Sequence, residues 1–123
     1  MTELIALLST GKGTWSNVSK IIQDGGFSRV FIITNDFGSQ NFTKRDNMEI
    51  IVVNFDKPLK ELSIDMVSAL KDKVSGIETG INFISGAGKE HMALLAAVMK
   101  LGLNFRLIIL TEQGKIDEVN PYC

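Results

Sequence analysis

The chain contains one cysteine, Cys123, and one histidine, His91, among 123 residues. No disulfide can close within it, which fits a reducing cytosol, and a zinc site of the usual Cys/His kind cannot be assembled. A basic surplus is also missing. Thirteen Lys and Arg face 14 Asp and Glu, for a net charge of −1, which argues against duplex DNA as a partner. Long hydrophobic runs are absent too: the longest apolar stretch, Met92–Leu110, is interrupted by Lys100, Gly102, Asn104 and Arg106 and is too broken to span a membrane. Met1-Thr-Glu3 carries no basic segment of the kind that opens a secretory leader. With 2 Pro, 11 Gly, 45% hydrophobic and 22% charged residues, the composition is that of one compact domain, 1–123. The expectation is a cytoplasmic protein without a membrane segment.

Apolar runs alternate with helical periodicity along the chain. Leu4–Leu8, Val30–Ile33 and Glu49–Val53 read as strands, the first two as runs buried on both faces. Trp15, Val18, Ile21 and Ile22 recur at helical spacing before Gly25-Gly26, a helix stop. Asn35–Asn47 shows no period and reads as a loop with at most a short helix. Asp56-Lys-Pro58 is a helix entry, followed by a face of Leu59, Leu62, Met66, Leu70 and Val74 before Gly76. Ile81–Ile84 predicts a fourth strand, Met92–Leu101 a fourth helix ending at Gly102, and Phe105–Leu110 a fifth strand. A turn at Glu112–Lys115 then allows a short antiparallel edge strand, Lys115–Val119. This pattern predicts an α/β, Rossmann-like three-layer sandwich with a mainly parallel sheet in the order 3-2-1-4-5.

In that order the first and fourth strands lie side by side, and their helices leave on opposite faces, opening a crevice at the carboxyl ends. Both turns there, Ser9–Gly13 and Ser85–Gly88, are rich in Gly, Ser, Thr and Lys. Gly11, Gly13, Gly86 and Gly88 permit close backbone approach. Ser9, Thr10 and Ser85 offer hydroxyls, Lys12 and Lys89 positive charge, and His91 the only imidazole. A Gly-rich turn opening a helix presents backbone N–H groups to an anion, a phosphate above all. The alternative is a tight strand-to-helix connection with nothing bound, just as Trp15 has core packing as the alternative to stacking on a base. The P-loop pattern fails at both turns: Phe83 and Ala6 stand where it needs Gly. Gly11-x-Gly13-x-x-Ser16, with Asp36 after the second strand, approaches the dinucleotide fingerprint but lacks its third Gly.

Ser85-Gly-Ala-Gly-Lys89 followed by His-Met-Ala-Leu-Leu-Ala-Ala-Val-Met99, with Ser9-Thr-Gly11 and the closing Phe105–Leu110 strand, Gly turn and Ile116–Val119, resembles the CARF (CRISPR-associated Rossmann-fold) family. Ala87 and Gly88 stand where the family's turn has its second Gly and a Thr. The resemblance implies a homodimer that binds a cyclic oligoadenylate across its two-fold axis, through Ser9–Gly13, Ser85–Lys89 and His91, in CRISPR-linked antiviral defence. The expected chain is a stand-alone domain without an appended effector. It either binds only or acts as a ring nuclease, cleaving without metal or cofactor, with Lys89 and Ser9 as the catalytic residues. An ordinary nucleotide or dinucleotide module using Gly11, Gly13 and Asp36 is the second reading. A ligand-free subunit docking through the apolar Met92–Met99 helix is the third.

Overall fold

The computed structural model describes residues 2–9, 12–75 and 77–119. Six strands, β1 (Glu3–Leu8), β2 (Arg29–Thr34), β3 (Met48–Val52), β4 (Thr79–Asn82), β5 (Phe105–Leu110) and β6 (Ile116–Val119), form one sheet in the order β3-β2-β1-β4-β5-β6. All pairings are parallel except β5–β6. The helices are α1 (Trp15–Asp24), α2 (Asp36–Asn41), α3 (Leu59–Leu70) and α4 (Gly88–Lys100). The α/β class, the strand order and the antiparallel edge strand agree with the sequence. No helix among the described residues is long and apolar enough to cross a membrane.

The period of two along β1 divides the core. Ile5 and Leu7 join Phe31, Ile33 and Ile51 beneath Leu62, Met66 and Leu70 of α3 and Ala93, Leu94, Ala97 and Val98 of α4. Leu4, Ala6 and Leu8 point the other way, onto Val18, Ile21 and Ile22 of α1. The helices that follow β1 and β4 therefore lie on opposite faces. Each fully buried Leu or Ile contributes roughly 1.5–3 kcal/mol of hydrophobic stabilisation, so the register of β1 is strongly specified: a slip of one residue would exchange the two faces. Thr34 at the end of β2 donates its hydroxyl to the carbonyl of Leu8 (2.7 Å).

Several boundaries differ from the sequence reading, mostly by a residue at an end, and the larger shifts have physical reasons. The fourth strand runs Thr79–Asn82 instead of Ile81–Ile84. Its start is small and polar, and Gly80 is required there because a Cβ would stand 2.6 Å from Ile108 Cγ1. Asn82 then closes the strand, donating to the Ile108 carbonyl (2.8 Å) and accepting from the Ile84 N–H (3.1 Å). The third strand begins one residue earlier than expected, at Met48. The fourth helix begins at Gly88 rather than Met92, so Lys89, Glu90 and His91 are helical. It stops as expected: Gly102, at φ 66, donates to Met99 O (3.1 Å) and Leu103 donates to Val98 O (3.2 Å), a Schellman closure. Within Asn35–Asn47, α2 is the short helix, capped by Asn35 Oδ1 accepting from Gly38 N–H (3.0 Å). Thr10, Gly11, Gly76, Cys123 and the side chain of Lys12 lie outside the described residues.

Candidate ligand site at the carboxyl edge of the sheet

The two Gly-rich turns lie together, as the adjacency of β1 and β4 requires. Ser9 leaves the end of β1, and its N–H donates to Ser85 Oγ at 2.9 Å. Its carbonyl accepts from Trp15 Nε1 at 2.7 Å. The backbone at Ser9 is thus held from two sides, by Ser85 of the second turn and by Trp15 of α1. Ser85 is only 1% exposed, so its hydroxyl faces the first turn rather than solvent. Trp15 is half-buried against the α1 core, with its ring 5.8 Å from Phe37 and 5.8 Å from Phe42.

Gly86 takes φ 99, a region that disfavours a side chain, and a Cβ there would sit 3.3 Å from His91 Nε2. The imidazole fills that space. His91 Nε2 lies 2.9 Å from the Ser85 carbonyl, which can only accept, so Nε2 carries a hydrogen and donates it. The ring also packs on Phe83, with centroids 5.3 Å apart. Any proton transfer by His91 would fall to Nδ1, because Nε2 is committed to holding the turn.

At the start of α4, Ala87 has no side-chain acceptor. Glu90 reaches back to accept from the Ala87 N–H (3.1 Å), half of a capping box. The N–H groups of Gly88, Lys89 and Glu90 meet no acceptor among the described residues. The Lys89 ammonium likewise makes no hydrogen bond or ion pair with them. A Cβ at Gly88 or Gly13 would enter open space. Three free N–H donors, a helix dipole and an unpaired ammonium lie together there, beside the largely buried Glu90 carboxylate that is turned back onto Ala87. No group of three or more His, Cys, Asp or Glu among the described residues is placed to hold a metal.

Asp36 lies elsewhere. It is the first residue of α2 and lines a cleft of about 830 Å³ at the carboxyl ends of β2 and β3, bounded by α2 and α3. Val52, Val53 and Ala69 line its apolar part; Asp56, Lys57 and Asp65 line its polar part. Lys57 Nζ bonds Asp65 Oδ2 at 2.8 Å, and that hydrogen bond, more than the accompanying charge attraction, raises the Lys57 pKa. The sequence reading did not foresee this cleft. The one available signal was Asn35-Asp36, an N-cap followed by an acid in a first turn. Met92 and Met99 of α4, at 60% and 67% exposure, leave part of that helix's apolar surface uncovered.

No family model matches the chain, and no curated protein matches it in sequence.

Proposed function

We propose that the chain binds a phosphate-bearing ligand of the cyclic oligoadenylate type where β1 and β4 lie side by side. The observation that carries this reading is the Ser9 N–H to Ser85 Oγ bond. It ties Ser9, at the end of β1, to Ser85, 76 residues on, in the turn that leads to an ammonium and three N–H groups that no described residue satisfies. Such preorganised donors cost little reorganisation when an anion arrives. Two copies of the chain, joined through the exposed apolar side of α4, would present two Lys89 side chains to one ligand with matching rotational symmetry. Ring opening would be attack of a ribose 2′-OH on the adjacent phosphorus: the new P–O2′ bond closes a 2′,3′-cyclic phosphate as the P–O5′ bond breaks. The 2′-hydroxyl's proton is lost to solvent while the 5′-oxygen leaves as a hydroxyl protonated from solvent. Lys89 would then offset charge on the phosphorane, and Ser9 would position the ring.

Calorimetric titration with cyclic tetra-adenylate tests the proposal. One ligand per two chains is expected, with Lys89→Ala losing about 1.5–3 kcal/mol of binding, the worth of a charge-assisted hydrogen bond. No binding, or binding untouched by Lys89→Ala, would overturn it. Linear products after incubation would mark an enzyme, and their absence a sensor. The second reading, an ordinary nucleotide or dinucleotide, is favoured by Asp36 at the wall of a large cleft. It predicts that Asp36→Ala abolishes nucleotide binding while Lys89→Ala does not.

A further inference from the structure

On the side away from the sheet, α3 and α4 together line a groove of about 460 Å³. Leu59, Ile64 and Val67 of α3 and Ala96 of α4 make it apolar; Val67 rests on the core beneath, and Ile64 is 57% exposed. Its only charged groups are Lys60 and Lys100, and no acid lines it. Neither lysine forms an ion pair or hydrogen bond with a described residue. Neither has an acid three or four residues away on its own helix, where Ser63, Ile64, Ala96 and Ala97 stand; Lys20 of α1, by contrast, meets Asp24 in that way. Lys100 lies in the last turn of α4 and suits the negative end of that helix's dipole. Lys60 is the second residue of α3, beside the positive end, where a cation is disfavoured. Its charge serves no interaction among the described residues.

Such a groove selects the form of what fills it. The main chain in the middle of each helix is bonded internally, so an extended peptide would find no strand edge to pair with and would leave its own N–H groups unpaired against apolar surface. A helix arrives with those groups already satisfied, and its apolar face can settle between two others. We infer that the groove docks an amphipathic helix of a partner protein whose apolar face is bordered by glutamates or aspartates, with one carboxylate at Lys60 and another at Lys100. Charge of that sign selects the partner and its direction in the groove more than it adds affinity. Met92 and Met99, the exposed methionines of α4, do not line the groove, so docking here leaves that side of α4 open to a second copy of the chain. The inference does not rest on the phosphate reading of the turns.

The probe is a labelled helical peptide of about four turns, with leucines on one face and glutamates along both borders, titrated with the whole chain by fluorescence anisotropy. Saturable binding is expected, weakening as salt is raised because the carboxylate–lysine contacts are screened. Lys60→Glu and Lys100→Glu should each weaken it about fivefold or more, and Ile64→Glu about tenfold or more. All three positions are exposed, and unchanged circular dichroism and melting confirm that the variants fold. The same peptide with glutamine in place of glutamate should bind about fivefold more weakly to the native chain and no longer distinguish Lys60→Glu from it. A glutamate peptide that fails to bind at millimolar concentration, or a glutamine peptide that binds as well, overturns the proposal. Two controls on the chain alone expose the other occupants. A dimer in sedimentation that Ile64→Glu dissociates would make the groove an interface between copies. Phosphatidylserine vesicles that bind the native chain but not Lys60→Glu would make it a lipid-facing surface. Either result overturns the partner helix.

Discussion

The two neighbouring regions of the carboxyl edge are built in contrasting ways. At the β1/β4 turns, short hydrogen bonds link Trp15, Ser9, Ser85 and His91 in series, and the surface left over is donor-rich and positive. At the β2/β3 ends, the chain is held by local caps, Asn35 on Gly38 and Asn54 on Asp56, and the surface left over is concave and carboxylate-rich. The first region is interlocked and shows its main chain; the second is open and shows side chains. A motif rich in Gly, Ser and Lys therefore marks where an anion can approach backbone, not where the fold leaves a wide cleft. Volume arises where α2 and α3 stand apart across two strand ends.

The sharpest way to disturb this contrast is on the cleft side. Gly38→Ala would bring a Cβ within 1.8 Å of Thr34 Oγ1, forcing Thr34 to release the buried Leu8 carbonyl. A loss of about 1–3 kcal/mol is expected in urea unfolding. Gly86→Ala strains the opposite region: φ 99 with a Cβ should cost about 1–2 kcal/mol and push His91 off Ser85. The histidine ring resonances in an NMR spectrum report that displacement. Ser85→Ala is milder for stability, about 0.5–1.5 kcal/mol for one hydrogen bond. It should nevertheless weaken anion binding at Lys89, because Ser9 is no longer tied to the second turn; unaltered binding would mean that the link is structural only. Smallest is the Lys57–Asp65 pair. With the folded Lys57 pKa raised, its contribution is fully present below the ordinary value of 10.5 and fades as pH rises through the folded value. Melting followed through that alkaline window should fall slightly more for the native chain than for Lys57→Met.

Much of this fold was legible in the residues. Leu4–Leu8 and Val30–Ile33 are too apolar for any place but the middle of a sheet, and the spacing of Val18, Ile21, Ile22 and of Leu62, Met66, Leu70 admits only helices packed on it. The Asn35–Asn47 segment was read less completely, because a six-residue helix with Gly38 at its centre shows no period. The start of β4 was obscured for a related reason: Thr79-Gly80 carries no apolar signal, and its place is set by the packing of Ile108 against Gly80. At the site, the Gly-rich turns were visible, but not the direction of their side chains. Ser85 turns its hydroxyl to Ser9, and His91 turns Nε2 to Ser85.

By itself the sequence determined the class, the strand order and the meeting of two Gly-rich turns, since hydrophobic periodicity and right-handed crossovers leave few other arrangements. Only the tertiary structure decided which polar groups are consumed by the fold and which are left for a ligand. Pairing of that kind depends on distances between residues far apart in the chain, such as Ser9 and Ser85, or Asp36 and Asp65, and local patterns carry no record of them.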